Sequence, residues 1–136
     1  MMTLNEINAL CQNTLVSNLG IEFTAISDKS LSARMPVDYR TTQPMGYLHG
    51  GASLALAETV GSGASLLLVD IAKYNVFGMN VSASHISSVR EGWVNATAIL
   101  VHQGRSTHVW DVEIKDPKGK LISVARVTNA IVEKNI

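Results

Sequence analysis

The twenty residues from Gly50 to Val69 contain one charged side chain, Glu58, and four glycines. No other stretch restricts so strongly what the chain can fold into. Its length approaches that of a bilayer span, but a carboxylate near the middle is costly in lipid, so the expectation is a buried soluble helix over residues 50–70. A helix apolar nearly all round must be covered on several sides. The rest of the chain has to supply that cover.

Thr3 followed by Glu6 forms a capping-box pattern, and Leu4, Ile7, Leu10 and Cys11 recur at helical spacing. A short amphipathic helix is therefore predicted first. Two-residue alternation then places Ile21, Phe23 and Ala25 on one face of a strand and Leu31, Ala33 and Met35 on one face of the next, with Ser27-Asp28-Lys29-Ser30 as the turn. Pro36 and the polar stretch to Pro44 end that hairpin. After the long helix, strands are predicted at residues 76–85, 93–102, 106–116 and 120–132, the last two joined by the turn Asp116-Pro117-Lys118-Gly119. In the third of these, His108, Trp110, Val112 and Ile114 share one face.

This order reads as an α+β fold, an antiparallel sheet with the long helix on one face, and residues 1–136 as a single domain. One sheet cannot cover the whole helix. Hydrophobic residues make up 46% of the chain and charged residues 16%, which is lean for a small solvated domain, so a second copy is expected to cover the remainder. Eleven basic and eleven acidic residues give a net charge of zero, so no long-range field favours nucleic acid or an anionic membrane. A lone cysteine, Cys11, and a first segment without the basic and apolar regions of a signal peptide point to the cytoplasm. His102 and His108 lack metal-ligand spacing, and no metal or other cofactor is expected.

Glu58 is the residue most suggestive of chemistry. A glutamate on a helix ordinarily faces solvent, but burial without a partner costs several kcal/mol, at about the level where stability alone would select an apolar residue. Upstream, Gln43 and the segment Tyr47-Leu48-His49-Gly50-Gly51-Ala52 deliver a histidine and two glycines to the helix start. Free amides and the helix dipole there favour a developing oxyanion. A histidine or glycine pair alone reads as a cap or a tight turn; joined to Glu58 they suggest a site. Nine residues separate His49 from Glu58, roughly 13 Å along a helix. If they cooperate, they do so between two antiparallel helices related by a two-fold axis, with Ser62 one turn after Glu58 lining the same site.

The segment Gln43-Pro44-Met45-Gly46-Tyr47-Leu48-His49-Gly50-Gly51-Ala52-Ser53, followed by Ala57-Glu58-Thr59, resembles the hotdog-fold acyl-CoA thioesterases, and within them the 1,4-dihydroxy-2-naphthoyl-CoA hydrolases of menaquinone synthesis and the proofreading thioesterases of enterobactin synthesis. Likeness continues through Met35-Pro36-Val37-Asp38, Arg90-Glu91-Gly92 and Gly104-Arg105-Ser106. The resemblance implies a sheet wrapped around one helix, dimers that pair into tetramers, and hydrolysis of a CoA or carrier-protein thioester with an aromatic or hydroxyaromatic acyl group. It implies that Gly50 N–H polarises the thioester carbonyl, that Gln43 and His49 orient it, that Glu58 attacks it or activates water, and that Ser62 positions the water or acyl group. CoA contacts would fall on His85, Arg90, Arg105, Ser106 and Thr107, although Ser87 departs from the basic residue often found there.

Two rivals share these features. A hotdog hydratase or dehydratase would use the histidine and carboxylate to move protons on the acyl chain. A non-catalytic acyl-CoA binder would have little use for a carboxylate beside a thioester. Pocket walls are expected around Leu54, Val60 and Val81.

Overall fold

The computed structural model describes residues 1–135. Two helices, α1 (Leu4–Leu10) and α2 (Leu15–Asn18), precede a hairpin of β1 (Glu22–Ser27) and β2 (Ser30–Val37). The long helix α3 (Gly50–Leu66) follows, then β3 (Tyr74–His85), β4 (Gly92–Gln103), β5 (Thr107–Lys115) and β6 (Leu121–Glu133). All strand pairs are antiparallel in one six-stranded sheet of order β1-β2-β4-β5-β6-β3. The sheet wraps one face of α3, the hotdog arrangement that the resemblance implied.

The capping box forms as the sequence predicts, with Thr3 and Glu6 satisfying each other's backbone amides. Leu31, Ala33, Met35 and Ile114 are fully buried, and Trp110, Val112 and His108 nearly so. They meet Leu56, Ala57, Val60 and Ala64 of α3 in one core. Val60, expected to line a pocket, is instead sealed in that core.

Alternation fails in β1. A bulge between Phe23 and Ala25 shifts the register, so Phe23 is buried while Ala25 is exposed and Ile26 turns inward. The helix also ends before residue 70. The amides of Leu67 and Leu68 bond to Ala64 and Ser65 carbonyls three residues back, a tightened last turn. Among the described residues, no helix is long and apolar enough to cross a membrane.

Two surfaces of the single chain are left uncovered. On α3, Gly51, Leu54, Ala55, Glu58 and Ser62 keep exposure along one stripe, while the buried positions face the sheet. At the sheet edge, β3 pairs only with β6 among the described residues and exposes Phe77 and Met79. Long unprotected edges with apolar side chains are templates for further pairing.

Candidate active site

The loop before α3 is built to deliver its N-terminus. Arg40 clamps Asp38 at 2.7 Å, and Thr41 Oγ1 donates to the Pro36 carbonyl at 2.8 Å. The Arg40 hydrogen bond to its side chain holds the Asp38 carboxyl below its ordinary value. Gln43 then starts a turn: its carbonyl accepts from Gly46 N–H at 2.9 Å and its amide donates to the Tyr47 carbonyl at 2.8 Å. Gly46 takes φ +88, a conformation suited to glycine. Gln43 Oε1 accepts from Met45 N–H, which leaves the side-chain amide nitrogen to donate. His49 N–H bonds the Thr41 carbonyl at 2.8 Å, tying the cap to the clamp.

His49 caps α3 with its ring. Nδ1 accepts from Gly51 N–H at 2.7 Å, so Nε2 is the donor of this exposed imidazole. The Ala52 and Ser53 amides both bond the His49 carbonyl. Among the described residues, that leaves Gly50 N–H as the amide of the first turn without a partner. A carbonyl oxygen placed there would meet an oriented N–H and the positive end of a seventeen-residue helix.

Two residues outside the loop complete this end. The His85 ring lies over Gly50, so close that a Cβ there would come within 2.8 Å of Nε2. Its Nδ1 is fixed at 2.8 Å from Ser123 Oγ. Arg90 stacks on the Tyr47 ring at 4.9 Å. The structure therefore gathers Gln43, His49, Gly50, His85 and Arg90 at one end of the molecule.

Glu58 stands eight residues along α3 from Gly50, about 12 Å by helical rise. It is half-buried rather than buried, because its stripe of the helix is uncovered. Its carboxylate fills the space where Gly78 of β3 has no side chain; a Cβ on Gly78 would overlap Oε2. Beside it opens a groove of about 370 Å³ whose walls include Leu10, Leu15, Phe23 and Leu66, with Glu58, Thr59 and Ser62 as polar members. The sequence placed the pocket walls elsewhere because the Leu15–Asn18 turn is too short to show periodicity.

Arg105, Ser106 and Thr107 lie elsewhere. β4 begins two residues after Arg90 and ends two before Arg105, so its length separates them by roughly 35 to 40 Å within one chain. A further group, Ser65, His108, Trp110 and Asn129, is buried behind Ser62 and escaped the sequence reading. Its members read as strand and helix core, and only their polarity at core positions marked them.

A family model described as the thioesterase superfamily matches residues 45–123. The 1,4-dihydroxy-2-naphthoyl-CoA hydrolase of Escherichia coli strain K12 is 44% identical over 130 residues, 96% of this chain and 95% of that protein. The crystal structure of a mutant thioesterase from Pseudomonas aeruginosa shares 46% identity, with a TM-score of 0.96 over 98% of this chain and 96% of that one. A Staphylococcus aureus protein, 43% identical, has been solved with a Glu-to-Ala change (TM-score 0.86, covering 88% of this chain and 99% of that one) and with a Gln-to-Ala change (TM-score 0.85, covering 87% and 98%). The two altered positions are fifteen residues apart, the interval between Gln43 and Glu58.

Proposed function

The chain belongs to the thioesterase superfamily and is a thioester hydrolase, and we propose that it cleaves acyl-CoA thioesters bearing an aromatic or hydroxyaromatic acyl group, with Glu58 as the reacting carboxylate and Gly50 N–H as the oxyanion donor. One observation carries this reading. The sole charge on α3 lines an apolar groove on the uncovered stripe of that helix, and the amide without a partner stands about 12 Å away at its N-terminus. Two such helices packed antiparallel bring Glu58 of one subunit to Gly50 of the partner subunit. The β3 edge, with Phe77 and Met79, supplies the adjoining contact, and the outcome is a homodimer with two sites that can pair again into a tetramer.

In this site the thioester carbonyl oxygen accepts from Gly50 N–H, with the Gln43 amide and His49 Nε2–H as further donors. Glu58 takes a proton from water, the hydroxide adds to the carbonyl carbon, and charge develops on the oxygen facing the helix end. Collapse breaks the C–S bond, and the CoA thiolate leaves and recovers the proton. Alternatively, the carboxylate itself adds to the carbonyl, thiolate leaves, and water cleaves the resulting anhydride. The acyl group lies along the apolar groove, which suits a flat ring system. His85 and Arg90 flank the pantetheine and nucleotide from the Gly50 end, while Arg105, Ser106 and Thr107 reach the nucleotide only from another subunit. A carrier-protein thioester presents the same pantetheine arm and is the second substrate form.

Thiol release from benzoyl-CoA, 1,4-dihydroxy-2-naphthoyl-CoA, a medium-chain acyl-CoA and an aryl carrier-protein thioester tests this reading, with Glu58→Gln in parallel. The turnover number of the variant is expected to fall at least about a hundredfold. Retention of most of it removes Glu58 from the chemistry. A single turnover in ¹⁸O-water bears on the route: label in the Glu58 carboxylate arises only when water cleaves an anhydride at the Glu58 carbonyl, whereas direct attack by water labels the product acid alone.

A further inference from the structure

Behind the wall of the groove lies a closed polar cluster that the proposed chemistry does not use. Ser65 and Asn129 are fully buried, and Trp110 and His108 nearly so. Ser65 Oγ stands 2.8 Å from Trp110 Nε1, 2.8 Å from Asn129 Nδ2 and 2.9 Å from His108 Nδ1. An indole N–H and an amide NH₂ can only donate, and a hydroxyl oxygen has two lone pairs. Both are therefore taken, and the Ser65 hydroxyl donates to His108 Nδ1. His108 is thereby fixed as the neutral ring with its proton on Nε2.

The same count fixes Asn129. Its Nδ2 also donates to the Gly61 carbonyl at 3.1 Å, so both amide hydrogens are used. Rotating the amide by half a turn would set Oδ1 against the Gly61 carbonyl, two acceptors face to face. Oδ1 must then face Ser62 Oγ, 3.4 Å away. Because an amide oxygen only accepts, a hydrogen bond across this contact runs from Ser62 to Asn129 and turns the Ser62 lone pairs toward the groove, one helical turn from Glu58.

We propose that Asn129, locked by Ser65, Gly61, Trp110 and His108, is a positioning residue that makes Ser62 an acceptor toward the groove. There it takes one hydrogen bond from the attacking water while Glu58 removes the other proton. This inference rests on the proposed hydrolysis and adds to it a source of orientation for the water. Without Asn129 the Ser62 hydroxyl rotates freely and can point its proton at Glu58, competing with the water for the carboxylate.

A double-mutant cycle in turnover number, with KM recorded separately, tests it. Asn129→Ala is expected to lower kcat about tenfold with KM nearly unchanged, and to have no further effect when added to Ser62→Ala. A merely structural role lowers kcat equally in both backgrounds or moves KM instead, and either result overturns the proposal. So does a Ser62→Ala variant with undiminished kcat; Ser62 is only half-buried, so that variant gives an answer whatever happens at Asn129. Should Asn129→Ala fail to fold, Ser65→Ala replaces it in the same cycle, because Asn129 keeps its Gly61 bond there; a loss of about threefold that vanishes in the Ser62→Ala background supports the proposal. Glu58→Gln separates the two levels. Activity lost in Glu58→Gln with an additive cycle sinks only the role of Asn129, whereas activity kept in Glu58→Gln sinks the hydrolysis reading itself.

Discussion

Glycine inside a strand ordinarily weakens it, because it contributes no packing and costs more entropy to order. Gly78 sits in β3 at a bulge, and the reason is the Glu58 carboxylate that occupies the space of its missing side chain. Gly78→Ala is therefore expected to displace Glu58 by about an ångström, cutting turnover about a hundredfold while the melting temperature stays within a few degrees; thiol-release kinetics beside a thermal melt checks this. His108 makes the second residue-scale prediction. Burial, and then the nearby His102, push its pKa below the ordinary value. The unfolded chain consequently binds a proton near pH 6.5 that the folded chain refuses. Stability is full above that pH and falls as acid is added down toward the folded value. Urea midpoints measured from pH 7.5 to 5 should drop for the wild type and stay flatter for His108→Asn, whose side-chain oxygen can still accept from Ser65; parallel curves would show that another group sets the acid limit.

Among the elements, β3 carries the clearest prediction. Twelve residues long, paired on one side among the described residues and displaying Phe77 and Met79, it has the form of an interface strand rather than a protected edge. Replacing Met79 with Lys should shift the molecular mass by light scattering toward the monomer, with turnover falling in proportion to the dimer lost. A monomer that remains active would show the site to be complete in one chain. What the sequence revealed of the elements follows from how each is stabilised. The α3 helix was legible because nearly every side is apolar, and β5 because strict alternation from His108 to Ile114 reflects a strand with one face on the core and one in water. Thr24 and Met79 are the unpaired residues of bulges, which depend on the partner strand and leave no period behind. The α2 turn at Leu15–Asn18 has four residues and cannot display a helical repeat. Its omission misplaced the groove, whose walls it partly builds.

At the scale of the whole molecule, the sequence contained the proposed site's ingredients but only half of its geometry. Gln43, His49 and Gly50 could be grouped because they are neighbours in the chain, and His85 joins them because β3 ends where α3 begins. Asn129 could not be found, since its proposed role depends on a β6 position facing Ser62 across the core. The distance along α3 is the part that matters most for assembly. A rigid helix holds Gly50 and Glu58 about 12 Å apart in each chain, so a site using both must take one from each subunit, and a two-fold dimer has two such sites. This has an arithmetic consequence. Glu58→Gln and Gly50→Val should each be inactive alone, yet in a mixed dimer one site receives both defects and the other receives none. Refolding the two variants together in equal amounts makes half of the dimers mixed, and half of the sites in those are intact, so the mixture should recover about a quarter of wild-type activity. If Glu58 instead works with groups of its own chain, every site in every dimer keeps at least one defect, and the refolded mixture stays as inactive as its parents.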